Sequence, residues 1–154
     1  MSESTLLVAD DHPLFRAALI QVLHDRFPQF RIVEAASAQT LGAAMQEHPE
    51  IELVLLDLAM PGARGFSSLL HLRGEYAQVP VIIISSNDDP RIIRRAQQFG
   101  AAGFISKSAA ADDMSAAIDD VLSGDISFPS MVAERSEADA ALAQAMRAYG
   151  RVVL

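Results

Sequence analysis

The chain has 154 residues, a formal charge of −8 and no cysteine, with 51% apolar and 21% charged residues. That length and composition fit one globular domain with a sizeable core and a short appendage, and they exclude a disordered chain. The acidic balance disfavours nonspecific binding to nucleic acid or anionic membranes. The lack of cysteine removes disulfides, thiolate catalysis and Cys-type zinc sites, and fits a reducing cytoplasmic location. No basic n-region opens the chain, and no apolar run approaches the roughly 18 residues that span a bilayer, so no membrane association is expected.

The predicted elements alternate along the chain. An apolar run at residues 5–9 reads as a strand, and Phe15, Leu19, Val22 and Leu23 then share one face of a helix over 13–25. A second strand is expected at 30–33, followed by a helix over 38–47 carrying Leu41, Ala44 and Met45. The third strand is 53–56, and Phe66, Leu69 and Leu70 mark a helix over 65–73. The fourth strand is 81–84, with Ile92, Ile93 and Ala96 on a helix over 90–98. The fifth is 103–105, ahead of the clearest stripe, Met114, Ile118, Val121 and Leu122 over 111–123. Continuous apolar runs suit strands covered on both faces, and helical spacing suits the elements that cover them. Pro28, Pro49, Pro61, Gly62, Pro80, Gly100, Gly103 and Gly124 fall at the joints. Five βα units in succession predict an α/β fold: a doubly wound, five-stranded parallel sheet with right-handed crossovers.

The composition changes after Pro129, where residues 131–149 become rich in alanine and charge. The main domain is therefore assigned to 1–126 and a linker or tail to 127–154. Ser136 and Asp139 have the form of a capping box, and Ala138, Leu142, Ala145 and Tyr149 recur at helical spacing. The tail is expected to be helical and is too small for a second domain.

In an open α/β sheet, ligands bind outside the carboxyl ends of the strands. The polar residues expected there are Asp10 and Asp11 after the first strand, Asp57 after the third, Ser85 and Ser86 after the fourth, and Lys107 after the fifth. Each has an ordinary reading taken singly. Asp11 ahead of His12 and Pro13 suits a helix cap, Asp57 a loop start, the serines turn chemistry and Lys107 a solvated surface. Together they end different strands on one edge. Three carboxylates there repel unless neutralised, and hard oxygen donors of this kind suit Mg²⁺. Metal, ammonium and hydroxyl together suit an incoming phosphoryl group, and one carboxylate can serve as its nucleophile. His12 reads as a helix-start residue. His24, His48 and His71 have no metal-ligand spacing, and Gly62 and Gly65 are expected to shape the turn after the third strand.

The segments 7–13, 53–62, 81–86 and 103–107 resemble the receiver domain of bacterial two-component response regulators, over roughly residues 5–126. The Asp10-Asp11-His12-Pro13 start and the Asp125-Ile126-Ser127-Phe128-Pro129 end are most similar to the LuxR-type, NarL/FixJ-like subfamily. The resemblance implies a flavodoxin-like (βα)5 fold and a phosphorylation-dependent switch rather than an enzyme. It implies Asp57 as phosphoacceptor and Mg²⁺ held by Asp11, Asp57 and the Ala59 backbone carbonyl, with Asp10 assisting through water. Lys107 would pair with the phosphoryl group, and Ser85 and the aromatic at 104 would form the switch. Ser86 is small, as donor access requires. The implied partners are a sensor histidine kinase and a second copy of the chain. That copy would bind through the face of the fourth helix, fifth strand and fifth helix, or through the first and fifth helices.

The chain departs from that pattern in two places. Position 104 is Phe, where Tyr is more usual, so no hydroxyl is available there. The residues after Ser130 lack a helix-turn-helix pattern, and Arg135, Arg147 and Arg151 are the only basic residues among them. Specific DNA binding by the chain as given is not expected, although transcriptional regulation is the output implied for a longer parent. Two other readings compete. A haloacid-dehalogenase-like phosphohydrolase also uses an Asp nucleophile with Mg²⁺, but places it after the first strand with a second Asp two residues on, where this chain has Ala59. A pseudo-receiver would not need the full set of Asp10, Asp11, Asp57, Ser85 and Lys107.

Overall fold

The computed structural model describes residues 4–129. The elements are β1 (Thr5–Ala9), α1 (Pro13–Arg26), β2 (Arg31–Ala35), α2 (Ala38–Glu47), β3 (Ile51–Asp57), α3 (Ser67–Glu75), β4 (Val81–Ser85), α4 (Pro90–Gln98), β5 (Gly103–Ser106) and α5 (Ala111–Leu122). All strand pairs are parallel, in the order β2-β1-β3-β4-β5. This is the flavodoxin-like doubly wound arrangement, and its strand order reverses between β1 and β3.

The apolar strands feed two cores because successive side chains point to opposite faces. Leu6, Val8, Leu53, Leu55, Ile82 and Ile84 pack with Leu19 and Leu23 of α1 and Ile118 of α5. Leu7, Ala9, Val54, Leu56, Val81 and Ile83 pack on the other face with Leu41 of α2, Leu69 of α3 and Ile93 of α4. Both layers are covered, which is why these strands read as unbroken hydrophobic runs.

Four expectations are corrected. β2 begins at Arg31, not at 30, and it is an edge strand with Arg31 and Glu34 exposed rather than one buried on both faces. Phe30 instead meets Phe27 edge-on, with ring centroids 6.4 Å apart. Leu70 of α3 is 49% exposed and outside the core, whose contacts come from Leu69 and Leu72. The N-cap of α1 is His12, not Asp11, and its side chain makes no capping bond. Asp57 and Ser85 are the last residues of β3 and β4 rather than the first beyond them.

Gly62 and Gly65 do shape the turn after β3, with φ of +82° and +52°, a region where a Cβ is costly. After α5 the chain reverses at Gly124 and runs along β5. Ser127 forms a parallel bridge with Gly103, its carbonyl accepting from Phe104 N at 3.0 Å and its amide donating to Ala102 O at 2.9 Å. The expected capping box at Ser136 and the helical stripe to Tyr149 lie outside the described residues.

Candidate functional site

One local device fixes the site. At four strand ends, a side-chain oxygen accepts the amide two residues on, the Asx- and Ser-turn geometry that short polar side chains favour. Asp10 Oδ1 accepts from His12 N at 2.6 Å, and Asp57 Oδ1 from Ala59 N at 2.9 Å. Ser85 Oγ accepts from Asn87 N at 3.0 Å, and Ser106 Oγ from Ser108 N at 3.2 Å. Arg16 of α1 steadies the first turn, with one guanidinium nitrogen 2.5 Å from the Asp10 carbonyl and another 2.9 Å from Glu34. Lys107 N donates to the Ser85 carbonyl at 2.9 Å, tying the ends of β4 and β5 together.

Lys107 Nζ lies 2.9 Å from Asp10 Oδ2, 2.9 Å from Asp57 Oδ2 and 2.7 Å from His12 Nδ1. It also stands 4.9 Å from the centre of the Phe15 ring. Asp10 is fully buried and Asp57 nearly so, while the Asp11 side chain is 28% exposed. Burial alone lowers the Lys107 pKa, but hydrogen bonds and Coulomb attraction from Asp10 and Asp57 outweigh it, so the pKa rises above 10.5 and the ammonium is retained.

One ligand atom each from Asp10, Asp11, His12 and Asp57 falls within 4.8 Å of the others. Asp11 Oδ1 is buried with no hydrogen-bond partner, so its desolvation is uncompensated within the protein. Three carboxylates with such an oxygen fit a small divalent cation with hard oxygen ligands.

The structure therefore gathers Asp10, Asp11, Asp57 and Lys107 at one point. It sets Ser85 on the neighbouring strand end, leaves Ser86 exposed and holds Ala59 by its amide to Asp57. Phe104 is buried, 2% exposed, in the core with Ile93 and Ala96 of α4. Sequence reasoning missed three partners: His12, Phe15 and Arg16. A readable signal was missed as well, because Lys107 is the only lysine of the chain and all eleven other basic residues are Arg.

Against known proteins, residues 6–119 match the model of the response regulator receiver domain. The chain is a response regulator receiver domain. Such domains are phosphorylation-dependent switches of two-component systems. The chain is 40% identical over 124 residues to the glycerol metabolism activator of Pseudomonas putida, covering 80% of this chain and 56% of that protein. It is similar in fold to the receiver domain of the putative response regulator NarL from Mycobacterium tuberculosis, with a TM-score of 0.69, 31% identity and coverage of 80% and 99% of the two chains. A LuxR-family response regulator from Aurantimonas matches with a TM-score of 0.74, 27% identity and coverage of 90% and 99%. The receiver thus belongs among LuxR-type relatives. It spans little more than half the length of the curated relative named above.

Proposed function

We propose that Asp57 is the phosphoacceptor of this receiver and that a sensor histidine kinase is its donor. The reading is carried by the Lys107 ammonium, held 2.9 Å from Asp57 Oδ2 in a pocket walled by two further carboxylates. An Asp57 carboxylate oxygen attacks phosphorus, the P–N bond of the donor phosphohistidine breaks, and the departing imidazole keeps the electron pair and takes a proton. Asp10, Asp11, Asp57 and the Ala59 carbonyl would hold Mg²⁺. When bound, it neutralises the carboxylates and the phosphoryl oxygens. Lys107 pairs with the transferred group as a fixed cation. Ser85 Oγ leaves Asn87 N for a phosphoryl oxygen, and Phe104 packs behind it, which biases the face of α4, β5 and α5. Phe carries this signal by burial alone.

In a longer parent that bias would regulate transcription from the cytoplasm, through a homodimer on the same face or on α1 and α5. No described helix is long and apolar enough to cross a membrane. Intact-mass measurement with Mg²⁺ and acetyl phosphate tests the core of this reading. The expected result is one added phosphoryl group, labile to hydroxylamine and absent from Asp57→Asn. Undiminished labelling of Asp57→Asn overturns the assignment.

A further inference from the structure

Three of the groups around the Lys107 ammonium belong to the polar edge of the sheet: Asp10 and Asp57, each at 2.9 Å, and the His12 imidazole at 2.7 Å. The fourth is the Phe15 ring, whose centroid lies 4.9 Å from Nζ. A cation over an aromatic ring at that distance is attracted by the ring quadrupole, most firmly where water is excluded. The Lys107 side chain is 12% exposed, so the contact is largely desolvated.

The ring differs from the two carboxylates in what phosphoryl transfer asks of it. A bound divalent cation draws on Asp10 and Asp57, and the phosphoryl group then occupies Asp57. A phenyl ring takes neither the metal nor the phosphoryl group, so its hold on the ammonium persists when the carboxylates change partners. Without a fixed neighbour, an ammonium on a flexible four-carbon stem has many rotamers open to it.

The fold keeps the ring in place. Phe15 is the third residue of α1, whose first turn opens on Pro13 and is closed by Arg16 N donating to His12 O at 2.9 Å. The ring packs against the core layer that contains Leu19, Leu23 and Met114. It also lines an apolar cleft between α1 and α5, with Ala18, Val22, Ala109 and Ala111. Lys107 is the one polar residue lining that cleft, so on this side the ring is what holds the cation.

We propose that Phe15 is a positioning residue for phosphoryl transfer: its ring keeps the Lys107 ammonium at the pocket while metal and phosphoryl group engage the carboxylates. The proposal rests on the reading of Asp57 as phosphoacceptor with Lys107 as its cation.

Lys107 is the only lysine, so full-length protein labelled with ¹³C,¹⁵N-lysine reports on the contact directly. The ring current should place its ε-methylene protons upfield of those of free lysine, and they should stay there when Mg²⁺ and beryllofluoride are added. An unshifted signal in the parent overturns the proposal, whatever the variants do.

Rates of labelling by acetyl phosphate at saturating Mg²⁺ are then compared in Phe15→Leu, which keeps apolar bulk, and Phe15→Tyr, which keeps a ring. Phe15→Leu is expected to slow labelling about threefold to tenfold, and Phe15→Tyr to stay within about twofold of the parent. In a Lys107→Ala background the effect of Phe15→Leu should vanish, which a packing role alone would not produce. A parental rate in Phe15→Leu, an equal loss in Phe15→Tyr, or a loss of the same size without Lys107 overturns the proposal. Labelling that persists in Asp57→Asn overturns the acceptor reading beneath it, a different outcome from loss of the Phe15 effect.

Discussion

Lys107 Nζ and His12 Nδ1 lie 2.7 Å apart although 95 residues separate them in the chain. Parallel pairing makes this contact. It brings every strand's carboxyl end to one edge, and the reversal of strand order between β1 and β3 sets Asp10 beside Asp57. The one lysine then faces two carboxylates and an imidazole, donating to Asp57 Oδ2 and pairing in charge with Asp10 Oδ2, each at 2.9 Å.

Removing that cation should slow chemistry without removing the nucleophile. Lys107→Ala is expected to accept phosphoryl from acetyl phosphate about 10²-fold more slowly than the parent, the cost of losing one preorganised charge donor. Time-resolved intact mass measures it. Labelling at the parental rate would take Lys107 out of the mechanism.

The ammonium also has a pH signature. Because the folded pKa is raised above 10.5, the stability that this pairing contributes is present in full below that value and is lost as pH rises through the folded pKa. Protein labelled with ¹⁵N-lysine gives a single side-chain ammonium signal, since no other lysine exists. In metal-free buffer its midpoint should exceed 10.5 and fall in Asp57→Asn. A midpoint at or below 10.5 in the parent would contradict the geometry.

Metal should stabilise the fold by mass action. At ten times its dissociation constant, Mg²⁺ adds about 1.4 kcal/mol and raises Tm by several degrees. Asp11→Ala should lose the rise. Calorimetric melts with Mg²⁺ and with EDTA decide it, and an equal rise in the variant refutes Asp11 as a ligand.

Much of this was legible in the sequence, for a physical reason. Strands covered on both faces must be apolar throughout, so the runs ending near Asp10, Asp57 and Ser85 announce both the sheet and its polar edge. The edge strand β2 has only partial cover and blurs that signal, which is why its start was misplaced at Phe30. His12 was hidden because it holds two places at once. It caps α1 by backbone alone, as a helix-start residue would, while the Asp10 turn aims its ring at the pocket. Periodicity carries no information about such a turn.

The chain beyond α5 gives a separate prediction. A Cβ at Gly103 would stand 2.7 Å from the Ser127 carbonyl oxygen, a backbone atom that cannot yield cheaply. Gly103→Ala should cost about 1–3 kcal/mol. It should also speed amide exchange at Phe104, whose N–H donates to that oxygen. Chemical denaturation with site-resolved exchange measures both, and parental protection at Phe104 would show that residues 126–129 are not what covers the β5 edge.

On the proposed dimer face of α4, β5 and α5, several charged side chains already have partners within the chain. Arg91 pairs with Asp89 at 3.0 Å, the Arg95 guanidinium lies 6.0 and 5.8 Å from the Phe66 and Phe99 rings, and Asp112 turns to Arg26 of α1 at 2.5 Å. Arg94 of α4, with Asp113, Asp119 and Asp120 of α5, stays exposed. In a two-fold pairing each partner's Arg94 would meet the other's acidic helix, so one substitution acts twice. Beryllofluoride with Mg²⁺ should drive association measured by light scattering. Arg94→Glu should weaken it by about 1–2 kcal/mol, about tenfold in Kd. Arg95→Glu is the poorer probe because it also strips the aromatic pair of its cation. A dimer indifferent to Arg94→Glu would move the interface to α1 and α5, where Leu14 is 89% exposed and Leu14→Asp becomes the deciding substitution.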